Sequence, residues 1–239
     1  MANQTFKRYE LKFILSSEQK NRILTAMEPY MTLDKYGRTT IRNIYFDTDD
    51  YRLIRRSIER PSYKEKLRIR SYKRADAYDT VFVELKKKYD RVVYKRRVSM
   101  REDEAMEWLC QRIRHADSQI EREIEYFLDF YQHLRPTVFL SYEREAYYSN
   151  DGGDLRVTFD NNILCRQEDI SLEYDVYGYP LLENGKILME IKCSGGIPLW
   201  LTRTLSSERI YKTSFSKYGT AYQSIIYPQI HNKEILIHA

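Results

Sequence analysis

Alternating apolar and polar positions recur along this chain and predict β-strands with one buried face. Between residues 5 and 15, Leu11 and Phe13 fall on one face of such a strand, whereas Glu10 and Lys12 fall on the other. The same alternation predicts further strands at residues 40–47, 64–73, 80–88, 91–98, 137–149, 155–160 and 187–193. The pattern therefore indicates a sheet of about eight strands.

Helices are predicted where a capping residue precedes apolar residues at helical spacing. The residue pairs that match this pattern are Ser16 with Gln19, Ser99 with Glu102, and Ser118 with Glu121. The first pair predicts a helix over residues 17–30, and Pro136 ends the helical stretch that the other two pairs open. Helical spacing returns near residues 200–207 and 215–227.

Short polar turns predict that neighbouring strands are joined as antiparallel hairpins. These turns are Tyr89-Asp90, Asp151-Gly152-Gly153-Asp154 and Asn184-Gly185. Strands joined in this way, with helices between them, indicate an α+β fold around an antiparallel sheet. Because eight strands can close on themselves, we expect an eight-stranded antiparallel β-barrel with packing helices. Barrels of this length commonly form one unit, so residues 1–239 are expected to be a single domain.

Positive charge is concentrated in one part of the chain. The net charge is +5, which is too small to indicate nucleic acid by itself. Residues 64–97, however, contain thirteen basic and five acidic side chains, a local charge of +8, so the rest of the chain sums to −3. Such a concentrated positive field is what a site for anions requires.

Other features of the sequence exclude several common classes of protein. Cys110, Cys165 and Cys193 are odd in number and lack metal-site spacing, which favours a reduced, cytoplasmic protein. No apolar run is long enough for a membrane segment, and no phosphate-binding P-loop motif occurs. The sequence also shows no Ser-His-Asp or Cys-His set. The four histidines are scattered and are expected to be structural or exposed: His115, His133, His231 and His238.

The polar faces of the predicted strands are unusual because nearly all of their side chains are charged. The sets that share a face are Lys64, Lys66, Arg68 and Arg70; Glu84, Lys86 and Lys88; Lys95 and Arg97; Arg156 and Asp160; and Glu190 and Lys192. For any one strand, exposure to water explains the charges. Five such strands in one chain favour basic faces that bind a polyanion, because Arg and Lys are the usual ligands of phosphate.

A few carboxylates lie among these cations and allow two interpretations. Glu10, Glu84 and Glu190 each lie beside a lysine of the same strand face. They either form local ion pairs or help to hold a hard divalent cation, which takes carboxylate and phosphate oxygens as ligands.

Seven motifs appear in order along the chain and together resemble the VTC domain, the catalytic domain of polyphosphate polymerases. The motifs are YELKF (9–13), YFDTDD (45–50), KLRIRSY (66–72), VELK (83–86), YEREAY (142–147), LMEIK (188–192) and FSKY (215–218). That family belongs to the triphosphate tunnel metalloenzymes and is related to CYTH proteins. No single motif is specific, but their order over nearly the whole chain identifies the chain as a member.

The resemblance implies a triphosphate tunnel, an eight-stranded antiparallel barrel with a basic lumen. It also implies metal-dependent transfer of the γ-phosphate of ATP to a growing polyphosphate chain, with Mn²⁺ or Mg²⁺ as cofactor. Matching positions suggest phosphate contacts from Lys12, Arg68, Arg70, Lys86, Lys95, Tyr142, Arg144, Arg156 and Lys217. The catalytic residues would be Arg68, Arg70, Lys86 and Glu190, and the metal ligands Glu190 and Glu10.

Two positions depart from the family pattern. The ExExK strand of the wider superfamily has Glu where this chain has Arg8, which disfavours the hydrolytic CYTH branch and its metal scheme. A lysine that the family often carries three residues before the position of Lys217 is Ser214 here, with Lys212 close by.

The sequence leaves several functions open. A triphosphatase or inorganic polyphosphatase would use the same tunnel with water as acceptor, and a non-catalytic module would bind polyphosphate without ATP turnover. Nucleic-acid binding is disfavoured, because neither an RNP-type nor a helix-turn-helix pattern accompanies the basic faces. The expected partners are therefore ATP and polyphosphate, with no nucleic acid and no membrane segment. The sequence does not indicate an oligomeric state.

Overall fold

Eleven β-strands form the sheet of this protein in a computed structural model that describes residues 9–59, 61–90, 92–113 and 117–231. The strands are β1 Tyr9–Ser16, β2 Met31–Leu33, β3 Thr39–Asp47, β4 Tyr63–Ser71, β5 Thr80–Tyr89, β6 Val92–Arg101, β7 Arg135–Ser149, β8 Arg156–Arg166, β9 Tyr179–Pro180, β10 Lys186–Cys193 and β11 Lys212–Thr213. The helices are α1 Ser17–Met27, α2 Arg52–Ile58, α3 Glu102–Met106, α4 Gln119–Tyr131, α5 Leu199–Ser207 and α6 Lys217–Ala221. One turn of π-helix follows α3 at Glu107–Gln111 and another follows α6 at Tyr222–Ile226.

The order of strands corrects the predicted barrel. Across the sheet the order is β11-β1-β10-β8-β7-β3-β4-β5-β6, with β2 beside β7 and β9 beside β8. Within the described residues the two ends of this order do not pair, so the sheet is not a closed eight-stranded barrel. The eight long strands match the eight predicted segments. Alternation within strands does not specify closure, which depends on pairing between the first and last strands.

The three additional strands are too short for alternation to reveal them. β2, β9 and β11 contain two or three residues each. A period of two residues cannot be recognised over such a length, so these strands were missed. The broader prediction of an α+β, antiparallel, sheet-rich fold with packing helices is confirmed.

The chain contains two compact units. Unit 1 comprises residues 1–40, 142–163 and 182–215, and unit 2 comprises residues 41–141, 164–181 and 216–239. The expected single domain over residues 1–239 stays a prediction.

The core of unit 1 lies between one face of its strands and two helices. Phe13 of β1, Phe159 of β8 and Met189 of β10 are buried in one cluster with Ile23 of α1 and Leu201 of α5. The residues of β1 that alternate with this buried set include Glu10 and Lys12. Packing of the apolar face against helices therefore leaves the charged face on the other side of the strands.

Unit 2 has the same construction with different elements. Leu67 and Ile69 of β4 are fully buried in a cluster with Trp108 and with Ile124 and Phe127 of α4. These apolar residues of β4 therefore pack against helices. The alternating Arg and Lys residues of β4 therefore share the opposite face of the strand.

Two local predictions are wrong. Ser99 lies inside β6, and α3 begins only at Glu102 after Arg101, so the Ser99 cap does not form. Asn184-Gly185 makes a turn but no hairpin, because β9 pairs with β8 rather than with β10. In both cases strand pairing replaced the local interaction that the turn or cap motif predicts.

Other predicted caps and turns form. Ser16 with Gln19 and Ser118 with Glu121 both make complete capping boxes, at the starts of α1 and α4. The turn at residues 151–154 joins β7 and β8, where Ser149 N donates to the Leu155 carbonyl. Within the described residues, no helix has the length and apolar character needed to cross a membrane.

Candidate functional site

The charged face of unit 2 is organised around Glu84 on β5. Arg68 and Arg97 lie opposite Glu84 on the neighbouring strands β4 and β6. Arg68 approaches Glu84 Oε2 at 2.6 Å, Lys95 approaches Oε1 at 2.7 Å, and Arg70 lies 3.8 Å from Oε2. We call this surface the Glu84 face; its residues are Lys66, Arg68, Arg70, Glu84, Lys86, Lys95 and Arg97.

The electrostatic environment keeps Glu84 ionised. Its side chain is 1% exposed, and burial alone would raise its pKa. The charges of Arg68, Arg70 and Lys95 outweigh burial and hold the pKa of Glu84 far below its ordinary value. A single carboxylate thus shares its charge among several cations, and the face retains net positive charge.

On the Glu84 face, a row of lysines lies next to the row that contains Arg68, Glu84 and Arg97. Lys66 on β4, Lys86 on β5 and Lys95 on β6 are in register with one another. Burial lowers the pKa of Lys95 to about 8; Glu84 opposes that shift, and the positive charge of Arg97 adds to it. Lysines crowded in this way favour an anionic ligand, which would relieve their mutual repulsion.

Tyr45 positions Arg68 from the neighbouring strand β3. The Tyr45 hydroxyl accepts a hydrogen bond from Arg68 Nη1 at 2.8 Å, and its ring stacks on Tyr218 of α6 at a centroid distance of 4.9 Å. Tyr218 in turn donates to the buried carboxylate of Asp47 at 2.9 Å. Arg68 is therefore held by Glu84 on one side and by Tyr45 on the other.

Helix α6 is joined to the Glu84 face through Lys66. Lys66 Nζ donates to Ser216 Oγ at 2.9 Å, and the same oxygen accepts from Gly219 N to cap α6. Lys217, a predicted phosphate ligand, is the first residue of α6 and is buried. Lys66 of the Glu84 face therefore holds the N-terminus of α6, where Lys217 is the first residue.

Unit 1 has a second charged face, formed by β1, β10, β8 and β7. In the register of these strands, Lys12 lies opposite Glu190, and Glu10 lies opposite Lys192. Glu190 is buried; Lys192 approaches it at 3.2 Å, Lys12 at 3.6 Å and Arg144 at 3.8 Å. We call this surface the Glu190 face; its residues are Glu10, Lys12, Tyr142, Arg144, Arg156, Thr158, Asp160, Glu190 and Lys192.

Arg144 is fixed by a carboxylate that the sequence analysis did not assign to it. Asp160 is fully buried and accepts two hydrogen bonds from Arg144, from Nε and Nη2, both at 2.6 Å. The Arg144 guanidinium also lies over the ring of Tyr142, 5.0 Å from its centroid. This arrangement presets the orientation of the guanidinium before any ligand binds.

Two buried donors of the Glu190 face have no hydrogen-bond acceptor among the described residues. They are Arg156 Nε and Thr158 Oγ1. Thr158 lies opposite Glu190 and Arg156 lies opposite Lys192 in the strand register. Buried donors without acceptors are costly, and phosphate oxygens would satisfy both.

The carboxylates of the Glu190 face are suited to a metal ion whose remaining ligands come from a bound phosphate and from water. Glu10 and Glu190 both approach Lys12 Nζ, at 3.3 Å and 3.6 Å. Among the described residues, no group of three or more His, Cys, Asp and Glu side chains is placed to hold a metal. Mg²⁺ commonly takes one or two carboxylates and draws its other ligands from phosphate and water. The residues therefore fit a substrate-completed site rather than a closed protein cage.

The structure groups the predicted site residues into these two faces. Arg68, Arg70, Lys86 and Lys95 lie on the Glu84 face, with Lys217 elsewhere in unit 2. Lys12, Glu10, Tyr142, Arg144, Arg156 and Glu190 lie on the Glu190 face. Arg8, the departure from the superfamily motif, and His115 and His238 lie outside the described residues.

Several residues of these faces were missed as site residues. Lys66 and Arg97 were recognised only as members of charged strands. Glu84 was interpreted as either an ion-pair partner or a cation ligand, and Asp160 and Thr158 were not assigned any contact. Strand register would have identified Glu84 and Arg97 as neighbours, but it is not visible in the sequence until pairing is known. Thr158 gave no signal, since a threonine in a strand is ordinary.

The chain matches a known protein family and resembles solved structures. The model of the VTC domain family matches residues 7–226. A structure of a proposed adenylate cyclase from Bacillus halodurans superposes with a TM-score of 0.53 at 18% identity, covering 87% of this chain and 92% of that one. A proposed adenylate cyclase from Vibrio parahaemolyticus gives a TM-score of 0.49 at 10% identity, covering 89% and 96%. A search of curated proteins finds no match. At 18% identity the Bacillus structure shows a shared fold.

Proposed function

This chain belongs to the VTC domain family, and we propose that it is a polyphosphate polymerase that transfers the γ-phosphate of ATP to a growing polyphosphate chain. The observation that carries this proposal is the excess of cations on the Glu84 face. Arg68, Lys95 and Arg97 all contact one buried carboxylate, and Arg70 lies close to it. One negative charge cannot neutralise four positive ones, so the face is built to accept a polyanion.

The side chains of the Glu84 face suit a chain of phosphates. Arg68 and Arg70 present planar guanidinium groups, which bind phosphate oxygens in pairs. Lys86 and Lys95 supply point charges that follow a shifting phosphate. Phosphoryl transfer asks mainly for positioning and for stabilisation of charge on the transferred group. We assign Arg68, Arg70 and Lys86 to that role.

The Glu190 face would bind phosphate through groups already oriented by the fold. Lys12 and Arg144 supply charge, with Tyr142 beside Arg144. Arg156 and Thr158 supply donors that have no acceptor in the described protein. Lys217, at the start of α6 in unit 2, is assigned as a further phosphate-binding cation of that unit.

The reaction needs no nucleophile from the protein. A terminal oxygen of the acceptor phosphate attacks the γ-phosphorus of ATP, the bond from that phosphorus to the β–γ bridging oxygen breaks, and ADP leaves. Glu190 and Glu10 would hold Mn²⁺ or Mg²⁺ together with phosphate oxygens. When bound, such an ion neutralises charge on those oxygens.

Analysis of the product tests the proposed function. Purified protein is incubated with ATP labelled at the γ-phosphate and with Mn²⁺ or Mg²⁺, and the product is separated on a polyphosphate gel. A ladder of labelled chains supports the polymerase. Labelled orthophosphate alone would instead identify a triphosphatase or polyphosphatase, and binding without turnover would identify a polyphosphate-binding module.

A further inference from the structure

Aromatic side chains adjoin one end of the Glu84 face. Tyr72, directly after β4, and Phe82 on β5 meet edge to face, with centroids 5.7 Å apart and an interplanar angle of 74°. The Arg97 guanidinium lies 4.5 Å from the centroid of Phe82 and donates to the Tyr72 hydroxyl at 2.8 Å. We call these three residues the aromatic corner.

The aromatic corner continues directly into the basic rows of the face. Phe82 lies beside Arg70 in the strand register. The next row along the strands contains Arg68, Glu84 and Arg97, and the row after it contains Lys66, Lys86 and Lys95. Successive rows are two residues apart, or roughly 6.8 Å. From the aromatic corner along the Glu84 face, the surface therefore changes from aromatic to strongly cationic.

We infer that the aromatic corner binds the base of a nucleoside triphosphate, stacked on Tyr72, while its phosphates extend onto the rows of Arg and Lys. Tyr72 is 40% exposed, so its ring is accessible, whereas Arg97 covers the ring of Phe82. Bases stack on aromatic rings and on guanidinium planes. This inference rests on the proposed function. It gives a binding site to the base, which is the part of ATP that a bare phosphate chain lacks.

The geometry also predicts which bases are accepted. Stacking on a ring depends little on base identity, since every base has a π-face. The exposed ring of Tyr72 thus supplies affinity for ATP and for GTP alike. Both nucleotides gain this contact, whereas tripolyphosphate does not.

A matched control exists on the same sheet. Tyr94 on β6 is 39% exposed, nearly the same as Tyr72. It lies opposite Lys87 in the strand register and alternates with Lys95, so it belongs to the other face of the sheet. A substitution of Tyr94 removes an equally exposed tyrosine without touching the aromatic corner.

Calorimetry on Tyr72→Leu and Tyr94→Leu, with ATP and tripolyphosphate as probes, tests the inference. Tyr72→Leu should weaken ATP binding roughly tenfold and leave tripolyphosphate binding unchanged. Unchanged tripolyphosphate binding also shows that the variant is folded. Tyr94→Leu should change neither affinity.

The outcomes separate this inference from the proposed function. If Tyr72→Leu binds ATP as tightly as the wild-type protein, or loses both ligands equally, the base does not stack on Tyr72, and the proposed function still stands. If the wild-type protein binds neither ATP nor tripolyphosphate, both the proposed function and the inference are contradicted.

Discussion

Arg68 donates two hydrogen bonds to a single oxygen of Glu84, from Nε at 2.9 Å and from Nη2 at 2.6 Å. The other oxygen of Glu84 accepts from Arg97 Nε at 2.7 Å and lies 2.7 Å from Lys95. Both oxygens are thus occupied by cations of the protein. Of the two interpretations of the embedded carboxylates, ion pairing therefore applies to Glu84, which organises the cations of its face.

Glu84→Gln should lower the free energy of unfolding and increase the stabilisation that bound tripolyphosphate provides. Removing a buried charge leaves Arg68, Arg97 and Lys95 to repel one another, which costs roughly 2–4 kcal/mol. A bound polyanion would replace the lost carboxylate. Urea unfolding with and without tripolyphosphate should therefore show a larger stabilisation by tripolyphosphate in the variant than in the wild-type protein.

Glu123→Gln provides the control for this comparison. Glu123 pairs with Arg96 at 2.8 Å on the other face of β6 and is partly exposed. Its loss should cost less than about 1 kcal/mol. If Glu84→Gln behaves like Glu123→Gln in both conditions, Glu84 does not organise the cations.

Lys95 should make polyphosphate binding depend on pH. Burial lowers its pKa from 10.5 to about 8, so a rise in pH from 7 to 9 removes its charge in the free protein. Polyphosphate affinity should fall over this interval. In Lys95→Arg the charge persists at pH 9, because a guanidinium stays protonated. Calorimetry at both pH values should show a smaller loss for Lys95→Arg; an identical loss in both proteins would exclude Lys95 as the cause.

Glu102 should limit stability above neutral pH. Burial raises its pKa to about 7, and the charges of Glu173 and Asp103 add to that effect. A raised folded-state pKa gives stability that is present below the ordinary value of 4.5 and is lost as the pH rises through 7. Glu102→Gln should therefore raise the free energy of unfolding by about 3 kcal/mol at pH 8 and change it little at pH 4.5.

Urea unfolding at the two pH values checks this prediction. Asp151→Asn is a suitable control, because hydrogen bonds from the Ser149 side chain and from Gly153 N lower the pKa of Asp151, and Asp151 does not act on Glu102. A gain for Glu102→Gln that is equal at pH 4.5 and pH 8 would show that ionisation of Glu102 is not responsible.

Much of the fold follows from side-chain alternation. Leu67 and Ile69 alternate with Arg68 and Arg70, and the structure buries the first pair against helices while the second pair shares the Glu84 face. One face of each long strand is apolar enough to determine which side of the strand is buried. The eight long strands and the capping boxes of α1 and α4 were predictable for that reason.

Other features depend on contacts between distant residues. Tyr218 and Asp47 are 171 residues apart, and the hydrogen bond between them has no signal in local sequence. Asp160 was predicted to share a strand face with Arg156, yet it pairs with Arg144 on the neighbouring strand. Strand order and register decide such contacts, and neither was visible before the structure.

Glu190→Gln should reduce metal-dependent turnover while the fold stays intact. Glu190 and Glu10 are the carboxylates that we assign to Mn²⁺ or Mg²⁺. The change should also weaken Mn²⁺ binding in the presence of tripolyphosphate, measured by calorimetry, because one oxygen ligand is lost. Glu145→Gln is the control, since Glu145 forms a comparable pair with Lys20 at 2.6 Å elsewhere in unit 1. Near wild-type turnover and Mn²⁺ binding in Glu190→Gln would show that Glu190 is not a ligand.

We propose that the cations of the Glu84 face bind a chain of phosphates. Longer polyphosphate contacts more of these cations than the three phosphates of ATP do. Each added charge-assisted hydrogen bond is worth roughly 1.5–3 kcal/mol before desolvation is subtracted. Since about 1.4 kcal/mol is a factor of ten, two net contacts give more than a tenfold gain in affinity.

Calorimetry with ATP, tripolyphosphate and a longer polyphosphate, at two salt concentrations, tests this claim most directly. The double variant Arg68→Ala, Arg70→Ala removes cations of the Glu84 face, and Arg96→Ala removes one from the opposite face of β6. We predict that polyphosphate binds more than tenfold tighter than ATP, that salt weakens both, and that only the double variant loses most of the polyphosphate affinity. Equal affinities for all three ligands, or equal losses in the double variant and Arg96→Ala, would contradict the account.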